Sequence, residues 1–126
     1  MIRPSLDRIV AINRELRESD EFFSDDGDEL HRVERVLTGT EAIVDPVHLA
    51  GALMSRLARA QAFTEGNKRT ALATAHFVLE FNGLDPETYL PPSDTQVGGC
   101  LVRAARGEDV EREVLARMSG NNEDTL

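Results

Sequence analysis

Ten consecutive residues, Gln61-Ala62-Phe63-Thr64-Glu65-Gly66-Asn67-Lys68-Arg69-Thr70, concentrate the groups of this chain best suited to handling an anion. They lie between two apolar segments with helical spacing. Gly66 lets the backbone turn where a side chain would resist it. Asn67 is of a favoured N-cap type, so a helix is expected from Asn67 toward Asn82, with Gly83 at the position that ends it. The first amides of such a helix point outward without internal partners, at the positive end of its dipole, which suits a phosphate. Lys68 and Arg69 add two positive charges in that turn, where the dipole prefers acids by a few tenths to ~1 kcal/mol. A bound anion would offset that penalty; the competing reading is a polar turn joining two helices. It is not a Walker A loop, whose earlier glycine is missing.

The elements that must position this stretch read as helices. Pro4 and Ser5 open the first, with Leu6, Ile9, Val10 and Leu16 on one side. The acidic run Glu18 to Glu29, interrupted by Phe22, Phe23 and Gly27, reads as a loop anchoring two aromatics. Asp25, Asp26 and Asp28 lack EF-hand spacing, which sets aside a Ca²⁺ loop. Asp28 to Leu37 forms a short second helix with Leu30, Val33 and Val36 or Leu37 inward. Glu41 to Val44 suits a brief extended segment. Asp45-Pro46 starts the third helix, N-cap then proline, carrying Ala50, Leu53, Met54 and Leu57 to near Ala60. The fourth, Asn67 to Asn82, is apolar almost all round (Ala71, Leu72, Ala75, Phe77, Val78, Leu79, Phe81), the pattern of a buried central helix. Asp85-Pro86 and Leu90-Pro91-Pro92 make a stiff loop. Ser93 with Gln96 has capping-box spacing and opens a fifth helix with Val97, Leu101, Ala104 and Ala105. Gly107 ends it, Val110, Val114, Leu115 and Met118 mark a sixth, and residues 119–126 read as a flexible tail. The expected fold is all-α, a compact six-helix bundle in a single domain, 1–126.

Acids outnumber bases 23 to 14, for a net charge of -9. That balance opposes nucleic-acid binding, which needs a basic footprint, yet allows a nucleotide in one local basic pocket. The lone cysteine, Cys100, rules out an internal disulfide and fits a reducing compartment; on a helical pattern it reads as a small buried hydrophobe. No apolar run is long enough for a membrane, and the N-terminus lacks a signal-peptide core, so a cytoplasmic location is expected. His31 and His48 read as surface residues and His76 as a core or groove residue. No histidine pair has metal-ligand spacing, which disfavours zinc.

The central stretch resembles the signature of the Fic/Doc family, His-x-Phe-x-(Asp/Glu/Asn)-(Gly/Ala)-Asn-(Gly/Lys)-Arg. Gln61, Phe63, Glu65, Gly66, Asn67, Lys68 and Arg69 carry the match, and so many fixed positions over one helix start make it specific. The likeness extends to the six-helix layout, with a glycine-punctuated C-terminal pair around Gly107. In size and in two residues the chain is similar to the Doc (death-on-curing) toxins. AMP-transferring members usually carry glycine at Lys68 and a second arginine at Leu72. The resemblance implies a toxin of a toxin–antitoxin pair, held in check by a small antitoxin protein whose helix packs against it. It would transfer a phosphoryl (or nucleotidyl) group from ATP or another nucleotide, with Mg²⁺, to a hydroxyl on a translation factor such as elongation factor Tu. It implies that Phe63 pins the loop, Glu65 faces Mg²⁺, Gly66 and Asn67 form an amide nest, and Lys68 and Arg69 hold phosphate oxygens.

The family's catalytic histidine falls on Gln61. In the family it takes the proton from the target hydroxyl, which a glutamine amide cannot do at neutral pH. Losing a general base costs roughly 10²- to 10⁴-fold in rate, about 3 to 5 kcal/mol. Phosphoryl transfer through a loose transition state depends mainly on positioning and charge, and a glutamine can orient a nucleophile, as in small GTPases. An inactive, a slow or a mechanistically altered transferase all fit, as does a glutamine introduced to silence a toxic protein. The alternative function is a catalytically degenerate domain that binds a nucleotide or a protein. A third reading is self-inhibition through a Ser-x-x-x-Glu helix. Ser119 and Glu123 have that spacing, but Gly120 and two asparagines between them argue against a helix there.

Overall fold

The structure, a computed structural model, describes residues 1–17 and 27–125. Residues 18–26 of the acidic run, with Phe22, Phe23, Asp25 and Asp26, lie outside them. Among the described residues there are seven α-helices and no strand: α1 (Leu6–Arg17), α2 (Leu30–Gly39), α3 (Pro46–Ala60), α4 (Asn67–Phe81), α5 (Pro86–Tyr89), α6 (Thr95–Ala105) and α7 (Glu111–Thr125).

The all-α expectation holds; the count of six does not. The extra helix is α5, a single turn where a stiff loop was expected. Its start repeats that of α3: an aspartate caps, and proline follows at the first helical position. The Asp45 carboxylate accepts from His48 N at 2.9 Å, and that of Asp85 from Glu87 N at 3.0 Å. Pro91 and Pro92 keep α5 short, since proline removes the amide that a longer helix would need.

The centre of the bundle is α3 rather than α4. Nine α3 residues are buried, and the helix packs against α2, α4, α6 and α7. Its small residues permit close approach: a Cβ at Gly51 would lie 2.6 Å from Leu115 Cδ2 of α7. α4 buries Thr70, Ala71, Thr74, Ala75, Val78 and Leu79, but Leu72 and Phe77 are half-buried and Phe81 is 53% exposed. The core joins Ile9 and Val10 of α1, Val33 of α2, Leu49, Leu53 and Met54 of α3, Val78 and Leu79 of α4, and Val114 and Met118 of α7.

The C-terminal third departs further from the sequence pattern. Asp94, not Ser93, caps α6, accepting from Gln96 N at 3.1 Å. Its second carboxylate oxygen accepts from Arg117 Nε at 3.1 Å and Asn121 Nδ2 at 2.8 Å, while Asn121 also donates to Tyr89 O at 3.0 Å. Burial pushes the Asp94 carboxyl up, but the bonds from Asn121, Arg117 and the Gln96 amide outweigh it and hold it below its ordinary value. These anchors keep α7 helical to Thr125, where a flexible tail was expected, despite Gly120.

Ser119 and Glu123 therefore do share a helix. α7 packs on α3, α5 and α6 and makes no contact with α4 among the described residues. The segment expected to be extended begins instead with a turn over residues 40–42, with Ile43 N bonded to Thr40 O at 3.1 Å and Arg3 donating to the carbonyls of Thr40, Glu41 and Ile43. No described helix is long and apolar enough to cross a membrane.

Candidate anion site at the start of α4

The motif spans the connection from α3 to α4 (Gln61 to Gly66) and the first turn of α4 (Asn67 to Arg69). α3 ends at Ala60, and Gln61 turns the chain in the left-handed region at φ 51°, ψ 45°. That conformation costs a non-glycine residue roughly 1–2 kcal/mol. The Gln61 side chain folds back, Nε2 donating to Ala58 O at 2.7 Å, so its amide caps a free carbonyl at the end of α3. Phe63 is buried at the hinge of the turn. Gly66 has φ 76°, ψ 19°, and a Cβ there would lie 3.3 Å from Asn13 Nδ2, so strain and space both favour glycine.

Gly66, not Asn67, occupies the N-cap position. The Asn67 side chain points backward: Oδ1 accepts from Phe63 N at 3.0 Å and Nδ2 donates to Phe63 O at 2.7 Å. This reciprocal pair closes the turn over Phe63, and the opening amides of α4 are those that a helix start leaves without intrahelical partners. Thr70 N bonds to Gly66 O at 2.8 Å, the first rung of the helix.

Two residues absent from the sequence reading hold this loop from α1. Asn13 is fully buried; its Nδ2 donates to Glu65 O at 2.9 Å and to Thr70 Oγ1 at 3.0 Å. Its Oδ1 accepts from Arg17 Nη1 at 3.0 Å. Arg17, 2% exposed, also reaches both carboxylate oxygens of Asp28 at 3.2 Å and Thr64 Oγ1 at 2.8 Å. Asp28 Oδ1 accepts from Thr64 N at 2.9 Å, and Glu29 N donates to Ala62 O at 2.7 Å. The loop is thus clasped between the end of α1 and the approach to α2. The signal for Asn13 was its spacing, four residues beyond Ile9 and three beyond Val10, which puts a polar side chain on the apolar face.

Outside this clasp Glu65, Lys68 and Arg69 are exposed, and among the described residues no side chain pairs with any of them. Arg69 stands at one end of an open groove of about 490 Å³ between α1 and α4, with Ile12, Leu16, Leu72 and Phe77 in its walls. Phe77 stacks on Phe81 with ring centroids 4.4 Å apart, and Arg8 lies over the Phe77 ring at 5.4 Å. His76 lines the same groove half-buried, roughly 13 Å along the helix from Asn67, too far along α4 to serve as base at the turn. Burial lowers its pKa, against the pull of Glu80 and Glu87. His31 and His48 are exposed, as expected. Cys100 is buried and donates to Glu113 at 3.6 Å; burial raises its pKa, with the Glu113 carboxylate adding to the effect, so the thiol stays protonated.

The described residues hold no cluster of three metal-ligating side chains. A lone exposed carboxylate at Glu65 suits Mg²⁺, which takes one or two protein carboxylates beside phosphates and water. The arrangement is that of a helical domain presenting a glycine-bent, doubly cationic helix start. The model of the Fic/DOC family matches residues 5–79, from the lead into α1 through most of α4. The chain belongs to the Fic/DOC family, whose members are generally transferases of nucleotidyl or phosphoryl groups. The helices α5 to α7 lie beyond the matched segment. No curated protein and no solved structure matches the chain.

Proposed function

We propose that this protein is a Doc-like toxin, moving a phosphoryl (or nucleotidyl) group from ATP or another nucleotide to a hydroxyl on a translation factor, with elongation factor Tu the first target to test. The observation that carries this reading is the pair Lys68 and Arg69, exposed and unpaired among the described residues, on a helix start that a buried network holds in place. Such a network has an evident use if the turn must meet a ligand in one geometry.

In this reading the opening amides of α4 at Gly66 and Asn67, with Lys68 and Arg69, hold phosphate oxygens. Arg69 also stabilises charge on the transferred group. Glu65 supplies one ligand to Mg²⁺, which neutralises phosphate charge when bound. The target oxygen bonds to phosphorus, the bridging oxygen leaves with the nucleotide, and the hydroxyl proton passes to a phosphate oxygen or to water. Gln61 orients the hydroxyl, which requires its amide to leave Ala58 O, a loss of about 1 kcal/mol for a part-buried bond. A small antitoxin protein would keep such an activity in check.

One observation favours a second reading, a degenerate domain that binds a nucleotide or protein without catalysis. The Gln61 amide is engaged in capping α3, a structural use of the position. A transfer assay with ATP labelled separately on the α- and γ-phosphates, run on the parent and Gln61→His proteins with elongation factor Tu, tests both. Transfer from γ by the parent supports a kinase that works without a histidine; a Gln61→Ala protein turning over as fast as the parent would then remove Gln61 from the mechanism. Transfer from α makes it a nucleotidyl transferase. Activity only in Gln61→His leaves a complete site lacking its base, and silence from both moves the weight to the binding domain.

A further inference from the structure

A second basic site lies between α2 and α3. Arg32, Arg35, Val36 and Gly39 share one face of α2 at helical spacing, opposite Arg56 and Ala60 of α3, and the six line an open cavity of about 410 Å³. Three of the six are arginines and none is acidic, in a chain of net charge -9. Two of the guanidinium groups are fixed in place. Arg56 makes a two-point contact with Glu111 at 2.7 and 3.2 Å and donates to Gly39 O at 3.0 Å. Arg32 pairs with Glu29 at 2.6 Å and donates to Ala60 O at 2.9 Å. Glu29 and Glu111 each offset one charge, so the surplus belongs to Arg35, which is exposed and has no partner among the described residues.

We propose that this groove docks an acidic peptide segment of a protein partner, with carboxylates taken by Arg35 and by the remaining N–H groups of Arg32 and Arg56. Guanidinium forks match carboxylates at two points, and a fork already held by a carbonyl loses little freedom on binding. Val36 and Ala60 give the groove apolar wall for the methylenes of Asp or Glu side chains, which a bare inorganic anion would not use. Ala60 immediately precedes Gln61, so a segment bound here runs beside the motif turn. Its relevance to the target or inhibitor rests on the proposed function; the docking itself does not.

The test is fluorescence anisotropy with a labelled deca-glutamate peptide. The parent is expected to bind it, more weakly as salt rises, because exposed pairs are screened over about 8 Å at physiological ionic strength. Arg35→Glu should weaken binding about tenfold or more, and Arg35→Gln by less. A Lys68→Ala/Arg69→Ala protein should bind as the parent does. Arg35 has no structural partner among the described residues, so an unchanged circular dichroism spectrum is expected for its variants. Absence of binding by the parent, equal binding by Arg35→Glu, or loss of binding in the Lys68/Arg69 variant would each overturn the proposal. So would displacement of the peptide by inorganic phosphate beyond that by sodium chloride of equal ionic strength, which would make the groove a phosphate site. Because only peptide binding is read, a silent transfer assay leaves this result intact, and the reverse.

Discussion

Replacing Asp28 tests whether the clasp on the motif loop is structural, functional or both. Its carboxylate and the Arg17 guanidinium are 7% and 2% exposed, and Asp28 Oδ1 also accepts the Thr64 amide at 2.9 Å. Asp28→Ala removes one partner of a buried ion pair, a change that costs about 3–5 kcal/mol. The bond lost from the Thr64 amide is part of the same cost and is not added to it. That is a large fraction of the ~5–15 kcal/mol that stabilises an ordinary domain. Asp28→Asn keeps an acceptor for Thr64 and removes the charge, so it should lose less.

The informative protein is the double substitution Arg17→Met/Asp28→Leu. Replacing a buried ion pair by apolar groups of similar volume is often neutral in stability. It would still release Thr64 and Asn13 from their guanidinium partner. Urea denaturation should therefore show Asp28→Ala strongly destabilised and the double variant losing less, its remaining loss coming from the bonds to Thr64 and Asn13. Calorimetric titration with ATP should show the double variant binding several-fold more weakly. An Asp28→Ala loss below about 1 kcal/mol would refute the buried-pair reasoning, which assigns it several. Parent-like ATP affinity in the double variant would refute the link between clasp and site.

Two further outcomes follow from single residues. Gln61→Gly removes a left-handed non-glycine residue and a part-buried side-chain bond, and should raise stability by roughly 0.5 kcal/mol in urea denaturation; a loss would mean that the amide cap outweighs the backbone strain. His76 is held below its ordinary pKa of about 6.5 by burial, so its protons bind preferentially to the unfolded chain. Its contribution is therefore complete above about pH 6.5 and lost as pH falls through that value toward the folded pKa. The thermal midpoint of His76→Gln should fall less than the parent's between pH 7.5 and 5; parallel curves would count against it.

Much of the helical plan was legible because it rests on local chemistry. Asp45-Pro46 starts α3, Gly66 bends the turn, and the periodicity of Ile9, Leu53 and Val78 faces the core in the structure. Apart from the histidine replaced by Gln61, the motif through Arg69 was legible in the sequence, and with it the family, because consecutive residues on one helix start need no distant partner to be recognised. Other features depended on residues far apart in the chain. α7 continues past Gly120 because Asp94 and the Tyr89 carbonyl, about thirty residues upstream, hold Asn121. Asn67 braces Phe63 instead of capping α4, and Gln61 caps α3, because each side chain found a nearer acceptor once the turn had closed. α3 rather than α4 became the centre because Gly51 admits α7 closely, whereas half of α4 borders a groove. Asn13 and Arg17, fifty residues before the motif, hold its loop only because the fold brings α1 against it. Local propensity and spacing act along the chain, so sequence determined the helices and the motif; buried polar pairing acts across it, so tertiary structure alone decided what holds the motif in place.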